Sequence, residues 1–194
     1  MEAALPESSW EAMFAPYDLS TYQAVLDTLG SEDVVLDIGA GDLRLAQQMA
    51  RIVRRVYAVE IDPGLLDQAT ASRGPLPASL IPICADARLL DFPSDVTAGV
   101  LLMRHCTCFR LYAEKLQNAG AARLVTNARW RMAVEVVDLQ VRRTSFADAR
   151  MGWFACLCGG TGFKEGPAEL WSVEMDKETH EVSSCPECME LWNS

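Results

Sequence analysis

Continuous apolar runs alternate with segments of helical apolar spacing along most of the chain. The continuous runs predict buried strands at residues 34–36, 56–59, 79–84, 96–103 and 121–126. Helical spacing and capping residues predict helices at about residues 20–29, 43–53, 63–71 and 109–119. Because parallel strands require crossover connections, this alternation predicts an α/β fold with a doubly wound, mostly parallel, Rossmann-like sheet.

The apolar pattern becomes ambiguous after Asn127. Residues 130–137 fit one stripe of a helix, whereas Met132, Val134 and Val136 also alternate as in a strand. We predict a helix in this region.

The last quarter of the chain is rich in glycine and cysteine and does not repeat the helix–strand pattern. Strands are predicted there at residues 152–155 and 170–175. We therefore expect a core over residues 1–143, with its cofactor-binding half at 33–127. A small C-terminal Cys-rich β segment over residues 144–194 is expected to pack on that core.

The overall charge limits the partners of this chain. A net charge of −10 over 194 residues argues against a broad basic face for nucleic acid. Six arginines between residues 121 and 150 allow a local basic patch, although a mixed, solvated surface is the simpler interpretation. No apolar run approaches the roughly 20 residues that span a bilayer, and the N-terminus lacks signal-peptide features. A cytoplasmic protein without membrane contact is therefore expected.

Three acidic residues lie at the ends of three successive predicted strands. Asp37 comes first, followed by Gly39 and Gly41, which allow a tight turn and a close approach of the backbone to a ligand. Glu60 could accept two hydrogen bonds from a ribose diol, and Asp86 could accept one from an exocyclic amine. Ligands of open α/β sheets bind at the carboxyl ends of the strands, so these residues predict a nucleotide site.

Asp37-x-Gly39-x-Gly41, Glu60 and Asp86 together resemble the motifs of class I S-adenosylmethionine-dependent methyltransferases, over roughly residues 33–126. The resemblance implies methyl transfer from S-adenosylmethionine. It places the first acid near the methionine moiety, the glycine loop against the cofactor, the second acid on the ribose and the third by the adenine. The chain departs from the family at Leu43, where glycine is common.

Two other functions remain open at this point. A nicotinamide-dependent dehydrogenase also uses a glycine loop and an acidic residue about 20 residues later in the sequence. In this chain, however, Arg44 replaces the third glycine of its G-x-G-x-x-G motif. Asp37 would also repel a pyrophosphate, whereas it suits a cofactor with an ammonium and a sulfonium. The second alternative is a non-catalytic cofactor-binding adaptor or regulator with a structural zinc site.

The methyl acceptor is not evident from the sequence, and RNA, a protein side chain and a small molecule all remain open. His105, after the fourth strand, is a candidate general base. The simpler interpretation is that it only precedes the next helix. Cys106 or Cys108 could supply a thiolate nucleophile, although incidental cysteines are commoner. The Asp/Asn-Pro-Pro-aromatic motif of many base-amine methylases is absent. Asn127 could line the pocket or cap a helix, and Tyr17 is interpreted as a packed aromatic.

Four of the seven cysteines form two close pairs near the C-terminus: Cys156, Cys158, Cys185 and Cys188. Two such knuckles at the ends of a β-hairpin can place four sulfurs around one tetrahedral structural zinc. The Cys-Pro-x-Cys pair resembles half of a zinc ribbon, whereas the first pair is C-x-C where C-x-x-C is usual. Free buried cysteines and a thiol redox pair are the alternatives, and His180 is a reserve ligand.

Overall fold

The computed structural model describes residues 17–72, 75–104, 106–130 and 133–188. Six strands form one sheet in the order β3-β2-β1-β4-β5-β6. Their bounds are β1 Val34–Ile38, β2 Arg55–Glu60, β3 Leu80–Cys84, β4 Ala98–Leu101, β5 Arg123–Thr126 and β6 Glu135–Asp138. Within the described ranges, four α-helices accompany this sheet: α1 Leu19–Leu26, α2 Arg44–Met49, α3 Pro63–Ser72 and α4 Phe109–Asn118. None of the helices in the described ranges has the length and apolarity needed to cross a membrane.

The first five strands are parallel, and β6 is antiparallel to β5. β1 lies between β2 and β4, so the strand order reverses direction beside it. In register, Asp37 lies opposite Ala58 on β2 and Val100 on β4. Ligands of such sheets bind beyond the carboxyl ends of the strands at this reversal, so the topology places the candidate site directly after β1. This architecture confirms the predicted fold class.

Two apolar layers cover the two faces of the sheet. All five residues of β1 are buried, with Val35 in one layer and Leu36 in the other. Each layer contains the apolar face of a helix, including Met49 of α2 on one side and Leu116 of α4 on the other. A strand buried on both faces requires a continuous apolar run, which explains why residues 34–36 were recognisable in the sequence.

A second sheet follows, with the strand order β7-β10-β8-β9. Its strands are β7 Thr144–Ser145, β8 Gly152–Cys156, β9 Thr161–Lys164 and β10 Thr179–Ser184. β8 and β9 form an antiparallel hairpin, whereas β10 returns parallel to β8. Its small core consists mainly of cysteines and apolar side chains: Ala149, Phe154, Cys156, Val182, Cys185 and Cys188.

Two predicted elements are wrong. Residues 135–138 form edge strand β6 rather than part of a helix, with Val137 fully buried and Val136 49% exposed. The buried face is therefore opposite to the one that alternation through Val134 and Val136 suggested. Residues 170–175 form no strand, because the chain makes two short 3₁₀ turns there, Ala168–Leu170 and Val173–Lys177. The side chains of Leu170, Trp171 and Val173 are exposed. The alternation of apolar residues therefore does not mark a strand here, because no sheet covers these side chains.

Candidate functional site

The loop after β1 turns back towards β2. The amides of Gly39 and Ala40 both donate to the Val59 carbonyl, over 2.9 and 3.0 Å. Gly39 and Gly41 have positive φ angles of 75° and 54°, a conformation that glycine adopts without steric cost. Leu43 shares this left-handed conformation with φ 61°, although it carries a fully buried side chain. The turn that the family makes with glycine is thus made here by a strained leucine.

Glu60 holds the glycine loop in place. One carboxylate oxygen accepts from the Gly41 amide over 2.8 Å, and the other accepts from Ile61 and Asp62 over 2.8 and 3.0 Å. The residue is 7% exposed. Three backbone donors therefore fix the Glu60 carboxylate at the carboxyl end of β2, beside the candidate site.

Asp37 lies within β1 and is 4% exposed. Its carboxylate makes no hydrogen bond or ion pair within the part of the chain that the structure describes. Burial, and then the nearby charge of Glu60, raise its pKa from 3.8 to about 7. A buried carboxylate that lacks a cation is an arrangement that a positively charged ligand would stabilise.

Asp86 is held by a neighbouring arginine. The guanidinium of Arg88 approaches it to 2.6 Å, and the Arg88 amide donates to it over 2.9 Å. These hydrogen bonds from Arg88 lower the pKa of the Asp86 carboxyl. The third acid is thus ionised and paired at the end of β3.

The amides at the start of the helix after the glycine loop are partly occupied by a side chain of this protein. α2 has only six residues, and the carboxylate of Asp42 already accepts from the Arg44 amide at its start, over 3.1 Å. Asp42 also pairs with the Arg44 guanidinium over 2.8 Å. This amide of the first turn is therefore not free to bind a ligand.

The other side of the site is formed by the segment after β4. The Tyr17 hydroxyl donates to the Leu102 carbonyl over 3.1 Å, and the Arg104 guanidinium stacks 5.0 Å from the centre of the Tyr17 ring. The methyl group of Met103 lies 3.2 Å from the point where Gly39 would carry a Cβ. This segment therefore contacts the glycine loop, and Tyr17 packs on it as expected.

The predicted catalytic residues after β4 receive little support. His105 lies outside the described residues. Burial raises the pKa of the Cys106 thiol, which disfavours a nucleophilic thiolate there. Cys108 immediately precedes α4 and does not cap it through its side chain.

Asn127 occupies the end of β5, next to this segment. It is 2% exposed, and neither its side-chain oxygen nor its nitrogen has a hydrogen-bond partner. The hydroxyl of Thr126 fills the adjacent capping role by donating to Leu101 and accepting from Ala128, over 2.7 and 3.0 Å. Thr126 thus takes the capping role, and the amide group of Asn127 pairs with none of the described residues.

Four sulfur atoms cluster at the end of the second sheet. The Sγ atoms of Cys156, Cys158, Cys185 and Cys188 all lie within 4.8 Å of one another. The Cys156–Cys188 and Cys158–Cys185 pairs are 3.6 Å apart, and Cys185–Cys188 is 3.7 Å. All four are free thiols, since these separations are far longer than a disulfide bond.

One of the four sulfurs, that of Cys158, is favoured in its ionised form, whereas a hydrogen bond to Cys158 raises the pKa of Cys156 and burial raises the pKa of Cys185. The Cys156 thiol and the Gly160 amide, the latter over 3.3 Å, donate to Cys158 and lower its pKa to about 5. A Cβ on Gly160 would lie 2.6 Å from Glu187 Oε2 and 3.2 Å from the Cys185 sulfur, so a larger residue here would have to displace the Glu187 carboxylate and crowd the sulfur. The turn between β8 and β9 thus brings a backbone donor against the cluster.

The cysteine cluster differs in one respect from the predicted arrangement. Cys156 and Cys158 lie at the turn of the β8–β9 hairpin, but Cys185 and Cys188 follow β10, which is parallel to β8. The two knuckles therefore do not belong to a single hairpin. His180 lies on β10 opposite Phe154 and is not part of the sulfur cluster.

Part of the chain is similar in sequence to proteins of a known family. Residues 36–125 match the family described as methyltransferase domain. A probable ribosomal RNA small subunit methyltransferase A of Methanosarcina barkeri is 32% identical over 135 residues, covering 62% of this chain and 44% of that protein. A protein of the same name from Methanosarcina mazei is 38% identical over 65 residues, covering 34% of this chain and 24% of the relative. The chain spans less than half the length of either curated relative.

Residues 36–125 thus correspond to a methyltransferase domain. A solved structure agrees at the level of the fold: precorrin 8w decarboxylase of Methanobacterium thermoautotrophicum superposes with a TM-score of 0.50 at 21% identity, covering 58% of this chain and 63% of that chain. Within the methyltransferase domain, Asp37, the glycine loop and Glu60 lie beside the strand-order reversal. Asp86 follows the edge strand β3 and pairs with Arg88.

The arginines of residues 121–150 are partly neutralised by carboxylates. Three of the six pair with carboxylates: Arg123, Arg129 and Arg143. Arg142 and Arg150 are exposed, and Arg131 lies outside the described residues. The described arginines therefore contribute to a mixed surface, and any support for an RNA acceptor has to come from elsewhere.

Proposed function

We propose that this chain transfers a methyl group from S-adenosylmethionine to RNA. The observation that carries the proposal is the buried, unpaired carboxylate of Asp37 beneath a glycine loop held by Glu60. The ammonium and sulfonium of S-adenosylmethionine supply the positive charge that this carboxylate lacks. A pyrophosphate would instead add negative charge beside two acids, which disfavours a nicotinamide dinucleotide.

Each acid has a separate role in the proposal. Asp37 attracts the cationic methionine end of the cofactor. Glu60 accepts from the ribose hydroxyls, since a carboxylate offers about four acceptor positions and three are used by backbone amides. Asp86 accepts from the adenine amine, and Arg88 keeps it ionised for that purpose.

The cofactor, when bound, supplies an electrophilic methyl carbon that passes to the acceptor as the carbon–sulfur bond breaks. The chain contributes alignment: β1 and β4 are adjacent, and the Met103 side chain contacts the glycine loop from the β4 side. Holding the acceptor atom in line with that carbon supplies much of the rate enhancement available to such enzymes. The acceptor releases a proton where its nucleophile carries one.

Two observations favour RNA over the other acceptors. Both curated relatives are named as ribosomal RNA methyltransferases. In addition, Arg104 lies at the acceptor edge and forms no ion pair with another described residue, and its Nε is buried without a partner. A guanidinium in that position suits a phosphate.

We also propose that the four clustered cysteines bind one structural zinc ion. With Zn–S bonds of 2.3 Å, tetrahedral geometry requires sulfurs about 3.8 Å apart. Three of the observed separations are 3.6–3.7 Å. Four protein sulfurs leave no coordination position for a reacting water, so the metal would stabilise the small second sheet rather than act in catalysis.

The proposed function can be tested with methyl-labelled S-adenosylmethionine. Purified full-length chain is incubated with small-subunit ribosomal RNA transcripts, with RNA-free cell protein, or with a small-molecule extract. Label is expected in RNA, and Asp37→Asn should abolish its transfer. Asp91→Asn is the matched control, because it makes the same change at an exposed position.

The outcomes separate the alternatives. Label in protein or small molecules but not in RNA would overturn the RNA acceptor and keep the methyltransferase. Cofactor binding with no transfer to any of the three fractions would favour the non-catalytic adaptor instead.

A further inference from the structure

We propose that the segment of residues 165–178 docks on a positively charged amphipathic helix of a partner protein. This docking segment connects β9 to β10 and contains the two 3₁₀ turns, Ala168–Leu170 and Val173–Lys177. The inference goes beyond the proposed methyl transfer and does not depend on it.

Three large apolar side chains of the docking segment lie in water. The exposed fraction is 59% for Leu170, 54% for Trp171 and 57% for Val173. The Trp171 ring contacts no other aromatic ring and no cation among the described residues. Hydrogen bonds within the turns hold the backbone, including one from the Trp171 amide to the Ala168 carbonyl over 3.2 Å. Neighbouring apolar side chains that stay exposed on a fixed turn are typical of an interaction surface.

The same segment concentrates negative charge. Glu169 directly precedes Leu170, and Glu174 directly follows Val173. Residues 165–178 contain five acids and one lysine, so they carry −4 of the net charge of −10. Four glutamates of the segment are exposed and make no ion pair with another described residue: Glu165, Glu169, Glu174 and Glu178.

The neighbouring cations leave this charge uncompensated. The Nζ atom of Lys164 donates to three backbone carbonyls over 2.6, 2.8 and 2.6 Å and pairs with no described carboxylate. Arg150 borders the same small cavity as Glu178 but makes no ion pair with it. The exposed Lys177 is likewise unpaired among the described residues. The negative charge of the docking segment is therefore available to a partner.

Charge and apolar exposure together define that partner. The unpaired glutamates would repel the phosphates of RNA or of an anionic membrane. A second copy of this acidic chain would also bring like charges together. A helix with an apolar stripe between lysines and arginines matches both features, because the stripe covers Leu170, Trp171 and Val173 while the cations face the flanking glutamates.

The apolar contact is small, which determines how the complex should behave. Three side chains on four consecutive positions offer much less than the roughly 800 Å² that each partner buries in a standard interface. The flanking charges therefore have to contribute. We expect a weak complex whose affinity falls as the salt concentration rises.

The test uses a synthetic, fluorescently labelled peptide of about 18 residues, with leucines on one helical stripe and lysines at the other positions. Fluorescence anisotropy measures its binding to the full chain. Trp171→Ala should weaken binding about tenfold, as for loss of a central aromatic contact. Leu89→Ala removes a leucine that is 82% exposed elsewhere and should bind as wild type does.

The contribution of charge is tested separately. The double variant Glu169→Gln, Glu174→Gln should weaken binding about three- to tenfold and reduce its dependence on salt between roughly 0.05 and 0.3 M. The double variant Glu32→Gln, Asp91→Asn neutralises two exposed acids of the methyltransferase domain and is the matched control. Melting temperatures should stay within about 2 °C of wild type, since all the changed side chains are exposed.

Two further peptides test the chemistry of the partner. One has the same composition with its leucines scattered around the helix, and the other has glutamates in place of lysines; both should bind at least about tenfold more weakly. No binding of the first peptide, equal binding of the scattered peptide, or unchanged affinity in Trp171→Ala would overturn the proposal. If Trp171→Ala instead abolished binding to single-stranded RNA, or dissociated a dimer seen by sedimentation, the segment would belong to that partner and the proposal would be wrong.

Discussion

The guanidinium of Arg129 joins the two sheets by donating to both carboxylate oxygens of Glu181, over 2.9 Å from Nη1 and 2.7 Å from Nη2. Arg129 follows β5 of the first sheet, and Glu181 lies on β10 of the second. The same guanidinium donates to both oxygens of Glu135 over 3.0 and 2.6 Å, and its side chain is 2% exposed. A single buried cation therefore fixes the Cys-rich segment against the methyltransferase domain.

Removal of this cation should destabilise the protein strongly. Arg129→Met leaves Glu135 without this partner and leaves Glu181 with only the Arg143 guanidinium, 3.4 Å away, which should cost about 3 kcal/mol of unfolding free energy. Urea denaturation followed by tryptophan fluorescence measures the loss. Arg142→Met removes an exposed arginine and should change stability by less than about 0.5 kcal/mol. Equal losses in the two variants would contradict the role given to Arg129.

At position 43 the glycine variant should be more stable than the alanine variant, which reverses the usual order of stability. Both Leu43→Ala and Leu43→Gly remove a buried side chain, but only glycine relieves the φ angle of 61°. We expect the glycine variant to be more stable than the alanine variant by about 1 kcal/mol in urea denaturation. The matched pair Leu116→Ala and Leu116→Gly, within α4, should show the reverse order by about 1 kcal/mol. The same order at both positions would argue against strain at Leu43.

Cofactor affinity should depend on pH through Asp37. Its pKa is raised to about 7 by burial and by Glu60, so the carboxyl becomes protonated as the pH falls below 7. A cationic cofactor requires the ionised form and must displace that proton. The dissociation constant of S-adenosylmethionine should therefore rise by up to about tenfold per pH unit below 7.

Calorimetric titrations between about pH 5.5 and 8, in steps of roughly half a pH unit, measure this dependence. Asp37→Asn should bind weakly and without the dependence. Folding stability depends on pH in the opposite direction. Between about pH 4 and 7 the folded chain holds a proton on Asp37 that the unfolded chain has released. Stability from this group is thus highest in acid and is lost as the pH rises to 7. A pH-independent wild-type affinity would refute the assignment.

Glu60 should contribute to cofactor affinity through its hydrogen bonds. Glu60→Gln replaces one acceptor oxygen by a donor and disturbs the contact with Gly41 or with the β2 end. The affinity for S-adenosylhomocysteine should fall by about 1–3 kcal/mol. Glu32→Gln, at an exposed position, is the control and should bind as wild type does. Wild-type binding by Glu60→Gln would remove the ribose assignment.

The cysteine cluster should contain one zinc ion per chain. Cys185→Ser should lose the metal and lower the melting temperature, because the four ligands hold together a sheet with a very small core. Elemental analysis and thermal denaturation, with and without a chelator, measure both effects. Cys84→Ser changes an exposed cysteine on β3 and should keep the zinc. A metal content well below one, or unchanged zinc in Cys185→Ser, would exclude a four-cysteine site.

Local sequence signals predicted the parallel sheet well. β1 is buried on both faces, so its run of apolar residues was unmistakable, and Gly39 and Gly41 marked the turn. Edge elements were harder, because β6 buries only Val137 fully, and the 3₁₀ turns near Trp171 bury almost nothing. Apolar spacing cannot assign a segment whose apolar side chains stay in water.

The partners of charged and polar side chains were also beyond the sequence. Nothing local indicates that Arg129 reaches Glu181, since 52 positions separate them. Likewise, Asn127 was recognisable as a residue at a strand end, but its lack of partners depends on Thr126 taking the capping role. Long-range pairing of this kind is decided by tertiary packing.

The return of β10 alongside β8 has a consequence for proteolysis. The two exposed 3₁₀ turns lie between β9 and β10, on the stretch of chain that separates Cys158 from Cys185. A protease that nicks this exposed stretch cuts the covalent chain without parting the pieces, because the pairing of β10 with β8 still holds both ends together. The nicked molecule would therefore migrate as one species in its native form and as two fragments once denatured.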